Sequence, residues 1–514
     1  MKLFKNLSKL HIILVTFFLI NLLFLSGFPF IHSDEAWLAG LSRTILKEGS
    51  YSVTEPYFDL YPRNPHAIKI LFHSIQIIFL KIFGYNILTF RLLSLLFGIF
   101  SLFLFYKITF VFTNSKSISY LAVILFAVDI QFIYTSHLAR QEINLLALFL
   151  FALYYFLTRV LRKNNYTKNI LLGLIIIISI GFHPNSFIIF LPFLFLYLYH
   201  IIFTKVLNLK DLLFFLFTLT LGALLFILIS LYFDPNFISN FKNYGKTLGV
   251  FKPIKTKFVR LYYFYKKIYY QVSGTYFTPD IKPQLYIFAL TLLYSIYKFF
   301  IKKDHINNIL LLSFLAVNLG YIIIGRYNQT SIIFIFPILY LLLINSIKNI
   351  EFKYLKPILI ALIILILLNS LIIVYNNTYF NYDTYLENIG SVVNKDDIVL
   401  ANLNTQFYFN YNKLYDYRNL YYLKSNNLTF ADYIENNNIE YIIYPEEMDF
   451  IYNKRPTWNI LYGNPYPYYE DMKNYLEKRC VLIKDFHNKT YGMRIVKFIG
   501  KKKWKVKIYK VKSN

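Results

Sequence analysis

The chain has 514 residues, of which 57% are hydrophobic, 20% aromatic and only 16% charged, and its mean hydropathy is +0.46. This composition excludes a soluble globular protein and indicates an integral membrane protein. The formal net charge of +27 would suggest nucleic-acid binding if it lay on one soluble domain. Here the basic residues form short clusters between apolar runs, which indicates membrane topology and contacts with lipid headgroups, so we expect no nucleic-acid partner. The single cysteine, Cys480, excludes an internal disulfide and a cysteine-rich metal site.

The first apolar run, about residues 10–28, is long enough to cross a membrane and follows a lysine-rich N-terminus. Because positive charge favours the inner side, we expect a plasma-membrane protein whose N-terminus is cytoplasmic. A cleaved signal peptide is the alternative, but the run exceeds the usual apolar length of about 7–15 residues and no A-x-A site follows. We therefore interpret it as an uncleaved anchor.

An acidic pair, Asp34-Glu35, follows this span directly and opens an outer loop at residues 29–86. Charged groups lie in water or in a functional cleft and not in lipid, which makes the pair a candidate catalytic group. The alternative is structural, because Ser33 is a good helix N-cap and acidic residues stabilise the first turn of a helix. The loop leads into an apolar but partly charged segment, residues 66–83, which we expect to lie along the membrane interface.

Further apolar runs follow, each near the length of a membrane span. Most lysines and arginines of the short connecting loops fall on the same side of the membrane as the N-terminus. The lysine-rich N-terminus was already expected on the cytoplasmic side, so the two observations agree. About eleven spans result, and this odd number places the C-terminal region outside, together with the acidic pair. The expected spans are about 10–28, 87–108, 117–135, 142–159, 169–183, 185–204, 211–232, 282–300, 308–325, 331–348 and 356–375.

Two other regions fall on the outer side in this topology. The loop at residues 233–281 carries lysines and an arginine among many tyrosines, and it is either a basic loop on anionic headgroups or a flexible clamp over a phosphate-bearing substrate. Residues 376–514 are expected to form a small α/β domain with its own core. Its expected strands include 398–400, 441–444 and 506–511, and its expected helices include 430–437 and 469–478.

Several ionisable residues lie at the outer ends of the spans, at the predicted depth of the acidic pair. Some have structural explanations, since Arg140 and Glu142 could pair and His183-Pro184 could form a helix turn. Their common depth and face nevertheless favour a functional site. They are Asp129, Arg140, Glu142, His183 and Arg326.

Short motifs in the membrane part occur in a characteristic order. They are Ser33-Asp34-Glu35-Ala36-Trp37, Asn64-Pro65-His66, Ile82-Phe83-Gly84, Phe90-Arg91-Leu92-Leu93-Ser94, His137-Leu138-Ala139-Arg140-Gln141-Glu142, Gly181-Phe182-His183-Pro184-Asn185, and Arg326-Tyr327 before Phe336-Pro337. This order resembles the GT-C superfamily of polytopic glycosyltransferases, particularly the branch of protein O-mannosyltransferases and lipid A aminoarabinose transferases. The resemblance covers about residues 1–375, and the C-terminal domain is only generically similar to the soluble domains of such enzymes.

The resemblance implies an all-α polytopic membrane protein, GT-C-like, with about 11 transmembrane helices in residues 1–375 and an extracytoplasmic α/β domain in 376–514. It implies the inverting transfer of one sugar from a polyprenyl-phosphate donor to a hydroxyl of a lipid, glycan or protein acceptor at the outer membrane face. Asp34 is then the candidate general base, and Glu35 positions the acceptor or sustains the charge on Asp34. Fixed cations and polar groups would hold the departing lipid phosphate or the substrate. The candidates are Arg63, His66, Arg140, Glu142, His183, Arg326 and Tyr327.

This chain departs from the aminoarabinose transferases at one motif. Where those enzymes usually have Lys-Pro-Pro, it has Arg63-Asn64-Pro65-His66, which leaves the donor and the role of this segment open. No nucleotide is expected, because no glycine-rich phosphate loop is present and the carboxylates face away from cytosolic nucleotide sugars. The branch resembled is thought to work without a metal, so no cofactor is assigned, although some GT-C enzymes use a divalent metal.

Three other functions are compatible with a polytopic chain of this kind. A polymerase or ligase of lipid-linked glycans would suit the basic outer loop but would not require the acidic pair. A secondary transporter would place its ionisable residues near the midplane of two related halves, and the sequence has no internal repeat. A catalytically silent relative that acts as a scaffold is the third alternative.

Overall fold

The computed structural model describes residues 8–65, 69–162, 165–183, 186–301, 304–325, 328–348 and 350–512. Its first part is helical. The helices are α1 (Lys9–Phe24), α2 (Ser33–Glu48), α3 (Ile70–Phe83), α4 (Ile87–Thr113), α5 (Lys116–Ala127), α6 (Ile130–His137), α7 (Glu142–Tyr155), α8 (Tyr166–Ile180), α9 (Phe187–Tyr199), α10 (Leu209–Phe233), α11 (Phe237–Leu248), α12 (Ile254–Tyr269), α13 (Lys282–Ile301), α14 (His305–Ile324), α15 (Phe336–Ile347) and α16 (Phe352–Asn376). Short π-helical turns extend α7 and α9, and a 3₁₀ turn at Gln329–Phe334 precedes α15.

The helices reproduce the predicted membrane architecture. Within the described residues, seven helices are long and apolar enough to span a membrane, or eight if α5 and α6, which are bent by 65° at their break, form one broken span. Three shorter apolar helices, α1, α8 and α9, stand where the remaining spans were expected. The prediction of an all-α polytopic membrane fold is therefore confirmed.

The burial of each span follows its position in the bundle. In the most apolar part of α10 only 17% of the residues are buried, and in that of α16 only 22% are buried. In the span that contains α15, 89% of the residues are buried. Apolar helices with so little buried surface are typical of the lipid-facing rim, and α15 lies at the centre of the bundle. The helices α8 and α10 approach closely at two glycines, because a Cβ on Gly173 would lie only 2.8 Å from Thr218 and one on Gly222 would overlap Ile177.

The basic region at residues 233–281 contains more regular structure than the sequence analysis predicted. Most of it forms the two helices α11 and α12, and residues 270–281 then return toward the bundle. Both helices leave aromatic side chains exposed, among them Phe241, Phe258 and Tyr262. Lysines interleaved with exposed aromatic residues are typical of helices that lie at a membrane surface.

The C-terminal part contains the predicted α/β fold. Its strands are β1 (Val399–Ala401), β2 (Leu414–Asp416), β3 (Tyr441–Pro445), β4 (Cys480–Asn488) and β5 (Trp504–Val511), and its helices are α17 (Tyr382–Gly390), α18 (Phe430–Asn436), α19 (Glu447–Lys454) and α20 (Tyr469–Arg479). The strand order is β2-β1-β3-β5-β4. The strand β1 pairs in parallel with β2 and β3, while β5 pairs antiparallel with β3 and β4.

The C-terminal domain packs against the segment that carries the acidic pair. Ile31, Ala36 and Tyr57 share a buried apolar cluster with Val399 and other sheet residues. The carbonyl oxygen of Tyr57 accepts hydrogen bonds from the backbone N–H of Asp416 (3.1 Å) and from the side-chain amide of Asn419 (2.9 Å). The sheet and α2 therefore lie at the same end of the helix bundle.

A buried ion pair joins the ends of α1, α2 and α4. Nε and Nη2 of Arg91 donate to the two carboxylate oxygens of Glu35 over 2.8 Å each, and neither side chain is exposed. Nη1 of Arg91 donates to the carbonyl oxygens of Leu25 (2.8 Å) and Pro29 (3.0 Å), just after α1. Because buried charges are tolerated only when paired and hydrogen-bonded, this contact fixes the turn between α1 and α2.

Glu35 also holds the segment that carries Arg140. Its Oε1 accepts the backbone N–H of Ala139 over 3.0 Å, and its Oε2 accepts that of His32 over 2.9 Å. Asp34 precedes Glu35 and Arg140 follows Ala139 in the sequence. The hydrogen bonds of Glu35 therefore bring the neighbourhoods of Asp34 and Arg140 together.

We expect the substitution Glu35→Gln to lower the free energy of unfolding by about 3–5 kcal/mol, because it leaves the buried Arg91 guanidinium without its counter-charge. The measurement is the midpoint of thermal or denaturant unfolding of the purified protein in nanodiscs. Glu351→Gln is the matched control, since Glu351 pairs with Lys353 over 2.9 Å on the surface, where such pairs contribute about 0–1 kcal/mol. Equal midpoints for the two variants would contradict this role of Glu35.

We expect Gly222→Leu to destabilise the helix bundle by about 1–3 kcal/mol, because its side chain would force α8 and α10 apart. Thr220→Leu adds a side chain of the same size at an exposed position two residues away and serves as the control. The same unfolding measurement tests both variants. A Gly222→Leu protein as stable as the control would show that the two helices do not need this close approach.

Candidate active site

The candidate catalytic residue Asp34 lies in the first turn of α2. The sequence analysis named Ser33 as a good N-cap of this helix, but the N-cap in the structure is His32. The Nδ1 of His32 accepts the backbone N–H of Asp34 over 3.0 Å. Glu35 completes a capping box through the backbone N–H of His32. An imidazole can act as an N-cap only if Nδ1 is unprotonated, so the ring is the neutral form with its proton on Nε2.

Asp34 is bound by two side chains from distant parts of the chain. Its Oδ2 accepts hydrogen bonds from Nη1 of Arg140, over 2.5 Å, and from the hydroxyl of Tyr276. About 29% of the Asp34 side chain remains exposed, whereas 9% of Arg140 does. The carboxylate is therefore partly accessible, whereas the guanidinium that binds it is almost completely buried.

Arg140 connects Asp34 to a second carboxylate, that of Glu142. The sequence analysis had offered this pairing of Arg140 with Glu142 as a structural explanation for the two residues. Nη2 and Nε of Arg140 donate to Oε1 (3.1 Å) and Oε2 (3.3 Å) of Glu142. Oε1 of Glu142 also accepts the hydroxyl of Thr330 over 2.6 Å. One guanidinium thus bridges two carboxylates, and this network carries a net negative charge.

The surroundings set the protonation state of Asp34 and His32. Burial raises the pKa of the Asp34 carboxyl, but His32, Arg140 and Tyr276 together outweigh it and hold the pKa well below the usual range for aspartate. Burial lowers the pKa of His32 to about 4, so its imidazole is neutral at neutral pH. At that pH the groups that stabilise the ionised Asp34 carboxylate are therefore Arg140 and Tyr276. Asp34 is consequently ionised and restrained. A carboxylate in this state becomes a stronger base when a partner leaves it.

Tyr276 is a site residue that the sequence analysis missed. It lies in residues 270–281, which follow the basic helices, and its ring stacks on His32 at a centroid distance of 4.1 Å and an angle of 17°. The Arg140 guanidinium lies 4.9 Å from the centre of the same ring. Burial and the negative charge of Asp34 raise the pKa of Tyr276, so its hydroxyl stays protonated and donates. Nothing in the spacing of one tyrosine among many could have singled it out.

Arg63 lies in the loop between α2 and α3 and packs against Trp37 of α2. Its Nε and Nη2 donate to Glu55 over 3.1 and 3.0 Å, and its guanidinium carbon lies 4.6 Å from the ring of Trp37. The guanidinium of Arg418, from the C-terminal domain, lies 4.8 Å from the same ring. Two arginines therefore flank Trp37, and neither forms a hydrogen bond with Asp34 in the described structure.

The remaining predicted residues are placed as follows. Glu35 is buried against Arg91, where it orients the site without reaching its opening. His183 follows α8 at a turn whose Gly181 carbonyl accepts the backbone N–H of Phe72. His66, Arg326 and Tyr327 lie outside the residues that the structure describes.

Asp129 has a structural environment. Its Oδ1 accepts the backbone N–H of Gln131 (2.8 Å) and Phe132 (3.1 Å) and so caps α6, while Oδ2 accepts the hydroxyl of Tyr340 over 2.6 Å. This carboxylate stabilises the break between α5 and α6, where backbone groups would otherwise lack partners. It does not join the cluster around Asp34.

Other buried polar groups lie close to Glu142 in the sequence. Both amide atoms of Asn144 and the Oε1 of Gln141 are buried without a hydrogen-bond partner in the described part of the chain. Unpaired buried polar atoms are uncommon and often mark a binding region. No group of three or more His, Cys, Asp or Glu side chains that could hold a metal ion occurs among the described residues.

This arrangement can perform two kinds of chemistry. An ionised carboxylate at an aqueous opening can accept a proton from a bound hydroxyl. A guanidinium beside it can bind an anion through two parallel hydrogen bonds. The two functions share one salt bridge, so a bound anion that draws Arg140 away would raise the basicity of Asp34.

Comparison with known proteins gives a partial sequence match. A family model described as dolichyl-phosphate-mannose-protein mannosyltransferase matches residues 66–232. The match covers less than half of the chain and begins after Asp34 and Glu35. No curated protein matches the chain.

Solved structures share the fold of this chain. ArnT from Cupriavidus metallidurans bound to undecaprenyl phosphate aligns with a TM-score of 0.53 at 10% identity, over 79% of this chain and 85% of that protein. The Archaeoglobus fulgidus oligosaccharyltransferase tethered with an acceptor peptide aligns with a TM-score of 0.52 at 13% identity, over 90% of this chain and 72% of that one. Its complex, as AglB, with an inhibitory peptide and a dolichol-phosphate gives a TM-score of 0.51 at 12% identity, over 87% and 71%. The resemblance inferred from the motifs is thus confirmed at the level of architecture, and this membrane protein has the fold of the GT-C superfamily of glycosyltransferases.

Proposed function

We propose that this chain is a membrane glycosyltransferase that moves a single sugar from a polyprenyl-phosphate donor to an acceptor hydroxyl at the outer membrane face, with inversion. The observation that carries the proposal is the contact between Asp34 and Arg140, a partly exposed carboxylate bound to a buried cation. Glycosyl transfer from a lipid phosphate requires these two groups side by side, one to take a proton and one to hold the departing phosphate.

The reaction proceeds by one displacement. The acceptor oxygen attacks the anomeric carbon while Asp34 takes the hydroxyl proton. The bond between the anomeric carbon and the phosphate oxygen breaks, and the polyprenyl phosphate leaves with the electron pair. Arg140 stabilises the negative charge that grows on this phosphate.

The resting contact between Asp34 and Arg140 gives the donor a second role. A phosphate that binds Arg140 competes with Asp34 for the same guanidinium. The carboxylate then loses a partner that lowers its pKa and becomes a better base for the acceptor hydroxyl. Donor binding in this way prepares the base before the acceptor reacts.

The other predicted residues are assigned supporting roles. Glu35 is a positioning residue that acts through Arg91 and the backbone of Ala139. Glu142 orients Arg140 from the side opposite Asp34. Arg63, His66, His183, Arg326 and Tyr327 are proposed to contact the donor phosphate or the sugar.

The relatives support a lipid-phosphate donor. ArnT is described bound to undecaprenyl phosphate and AglB with a dolichol-phosphate, and the matching family model names dolichyl-phosphate mannose. We further propose a plasma-membrane location with a cytoplasmic N-terminus and an extracytoplasmic C-terminal domain. The lysine-rich N-terminus supports this orientation, and the packing of the C-terminal domain on α2 supports a common side for the domain and Asp34.

A second candidate function is the transfer of a whole lipid-linked glycan. It is favoured by the archaeal oligosaccharyltransferase, whose alignment covers 90% of this chain. The two functions differ in the donor, which is a monosaccharide phosphate in one case and a lipid-linked oligosaccharide in the other. Offering both donors to the purified protein distinguishes them.

We expect Asp34→Asn to lower turnover by about 10²–10⁴-fold, because an amide cannot take the acceptor proton. The assay uses purified protein in nanodiscs with radiolabelled polyprenyl-phosphate sugars and measures the transferred label. Asp383→Asn, an exposed aspartate in the first turn of α17, is the control and retains parental turnover. An Asp34→Asn protein that turns over a substrate at the parental rate would refute the assignment.

We expect Tyr276→Phe to shift the acid limb of kcat/KM to higher pH. The Tyr276 hydroxyl helps to hold the pKa of Asp34 low, so its removal raises that pKa and the base becomes protonated at a higher pH than in the parent. The pH profile is measured between about pH 3 and 8, near and above the usual aspartate pKa of about 3.9, and activity after return to pH 7 controls for acid inactivation. Tyr270→Phe changes an exposed tyrosine near the start of the same segment and leaves the profile unchanged. An acid limb that stays in place or moves to lower pH in Tyr276→Phe would contradict the hydrogen bond.

A further inference from the structure

The helices α11 and α12 carry a positive charge that their own segment does not neutralise. Residues 235–279 contain seven lysines and one arginine but no aspartate or glutamate. Two of these cations are bound by the bundle, since Lys257 and Arg260 donate to the carbonyl oxygens of Ile323 (2.8 Å) and Gly325 (3.4 Å). The other six side chains are exposed and form a surface that attracts anions. They are Lys242, Lys246, Lys252, Lys255, Lys266 and Lys267.

One face of α12 exposes a stripe of large apolar side chains. Ile254, Phe258 and Tyr262 recur every four residues, so they lie above one another on the helix, and they are 67%, 54% and 62% exposed. The helix packs on the protein through a different face, on which Phe264 and Ile268 are buried. Water is an unfavourable medium for such a stripe, so the stripe indicates contact with an apolar partner.

Contacts with two spans set the depth of α12. The hydroxyl of Tyr265 donates to Oδ1 of Asn318 over 2.5 Å, within the last two turns of α14. The hydroxyls of Tyr269 and Tyr286 form a hydrogen bond of 2.8 Å one turn after the start of α13. Both α13 and α14 are long and apolar enough to cross a membrane. The helix α12 therefore lies against the ends of two spans, at the level where lipid headgroups meet the hydrocarbon, a level at which tyrosines are common.

Lysines border the apolar stripe of α12. Lys255 follows Ile254, and Lys266 lies four residues after Tyr262, which places both lysines at the edge of the stripe. A bilayer that contains anionic phospholipids fits both features, because its acyl chains cover the stripe and its phosphates bind the lysines. A soluble polyanion would bind the lysines only and would leave the stripe in water.

The end of α12 is connected to the proposed base. The backbone N–H of Val272 donates to the carbonyl oxygen of Lys267 over 2.8 Å, and the carbonyl oxygen of Val272 accepts the side-chain amide of Gln329 over 3.2 Å. Four residues later, the hydroxyl of Tyr276 donates to the Asp34 carboxylate. The position of α12 therefore influences the position of Tyr276.

We infer that α11 and α12 bind the headgroups of anionic phospholipids and that this contact holds Tyr276 at Asp34. The expected effect on turnover rests on the proposed function, whereas the binding of lipid does not. The two parts are tested by separate measurements.

The first test measures lipid binding without turnover. The full chain is placed in nanodiscs of phosphatidylcholine, either alone or mixed with phosphatidylglycerol, and hydrogen–deuterium exchange is followed in residues 254–276. We expect exchange to be at least about threefold slower with phosphatidylglycerol, because bound headgroups oppose the local opening of α12. High salt removes this protection, since exposed charges are screened. Equal exchange in the two lipids would overturn the inference.

A triple variant shows whether the lysines cause the protection. Lys255→Gln, Lys266→Gln and Lys267→Gln are combined, and we expect this variant to exchange equally fast in both lipids. The control removes the same charge from three exposed lysines of the C-terminal domain, through Lys424→Gln, Lys454→Gln and Lys478→Gln, and keeps the parental protection. Protection of the first variant at the parental level would contradict the role of α12. Protection by undecaprenyl phosphate in phosphatidylcholine, without protection by phosphatidylglycerol, would identify the donor phosphate and not the bilayer as the occupant and would also overturn the inference.

The second test measures turnover of a radiolabelled polyprenyl-phosphate sugar in the same two nanodiscs. We expect phosphatidylglycerol to raise kcat/KM at least about fivefold in the parent and in the C-terminal control variant, and to have no effect in the α12 variant. Because the lipid acts through Tyr276, the increase is also smaller in Tyr276→Phe. An undiminished increase in Tyr276→Phe or in the α12 variant would overturn the coupling to Asp34. A parent that transfers no sugar from any donor would overturn the proposed function instead, and the exchange measurement would still decide whether α11 and α12 bind lipid.

Discussion

The site depends on the buried ion pair between Glu35 and Arg91. Two charges without solvent contact are stable only because every strong hydrogen-bonding position of the pair is used. Through these bonds the end of α1, the first turn of α2, the start of α4 and the backbone before Arg140 meet at one point. Asp34 is adjacent to this junction, so its position is set by rigid helices and not by a mobile loop.

Charge compensation explains the resting state of the site. Arg140 is shared by Asp34 and Glu142, and Tyr276 gives Asp34 a further hydrogen bond. The carboxylate is therefore ionised but held by its partners, and a guanidinium is also a chemical group that binds phosphates well. In the proposed mechanism, donor binding and activation of the base are consequences of one exchange of partners on Arg140.

The C-terminal domain contributes to the site and does not merely follow it in the sequence. It shares an apolar core with α2, places the guanidinium of Arg418 against Trp37, and donates hydrogen bonds from Asp416 and Asn419 to the carbonyl oxygen of Tyr57. In the proposed mechanism the membrane part provides the base and the cation, and the C-terminal domain packs against the helix that carries the base.

The sequence by itself determined the membrane architecture, since runs of apolar residues of span length have few other stable structures. It also located the strands at 441–444 and 506–511 and the acidic pair at the start of α2, and it offered the pairing of Arg140 with Glu142. The basic region at 233–281 was less predictable, because its lysines interleaved with tyrosines are compatible with a loop as well as with the two helices that the structure contains.

Only the tertiary structure decided which of the two adjacent carboxylates faces the opening. Asp34 and Glu35 are chemically similar neighbours, but successive residues on a helix point in directions about 100° apart, so one side chain is buried against Arg91 while the other reaches Arg140. Tyr276 and Arg418 were likewise beyond prediction. Both lie more than 200 residues from Asp34 in the sequence, and their contacts with Asp34 and Trp37 arise from the packing of whole elements, which no local pattern of residues records.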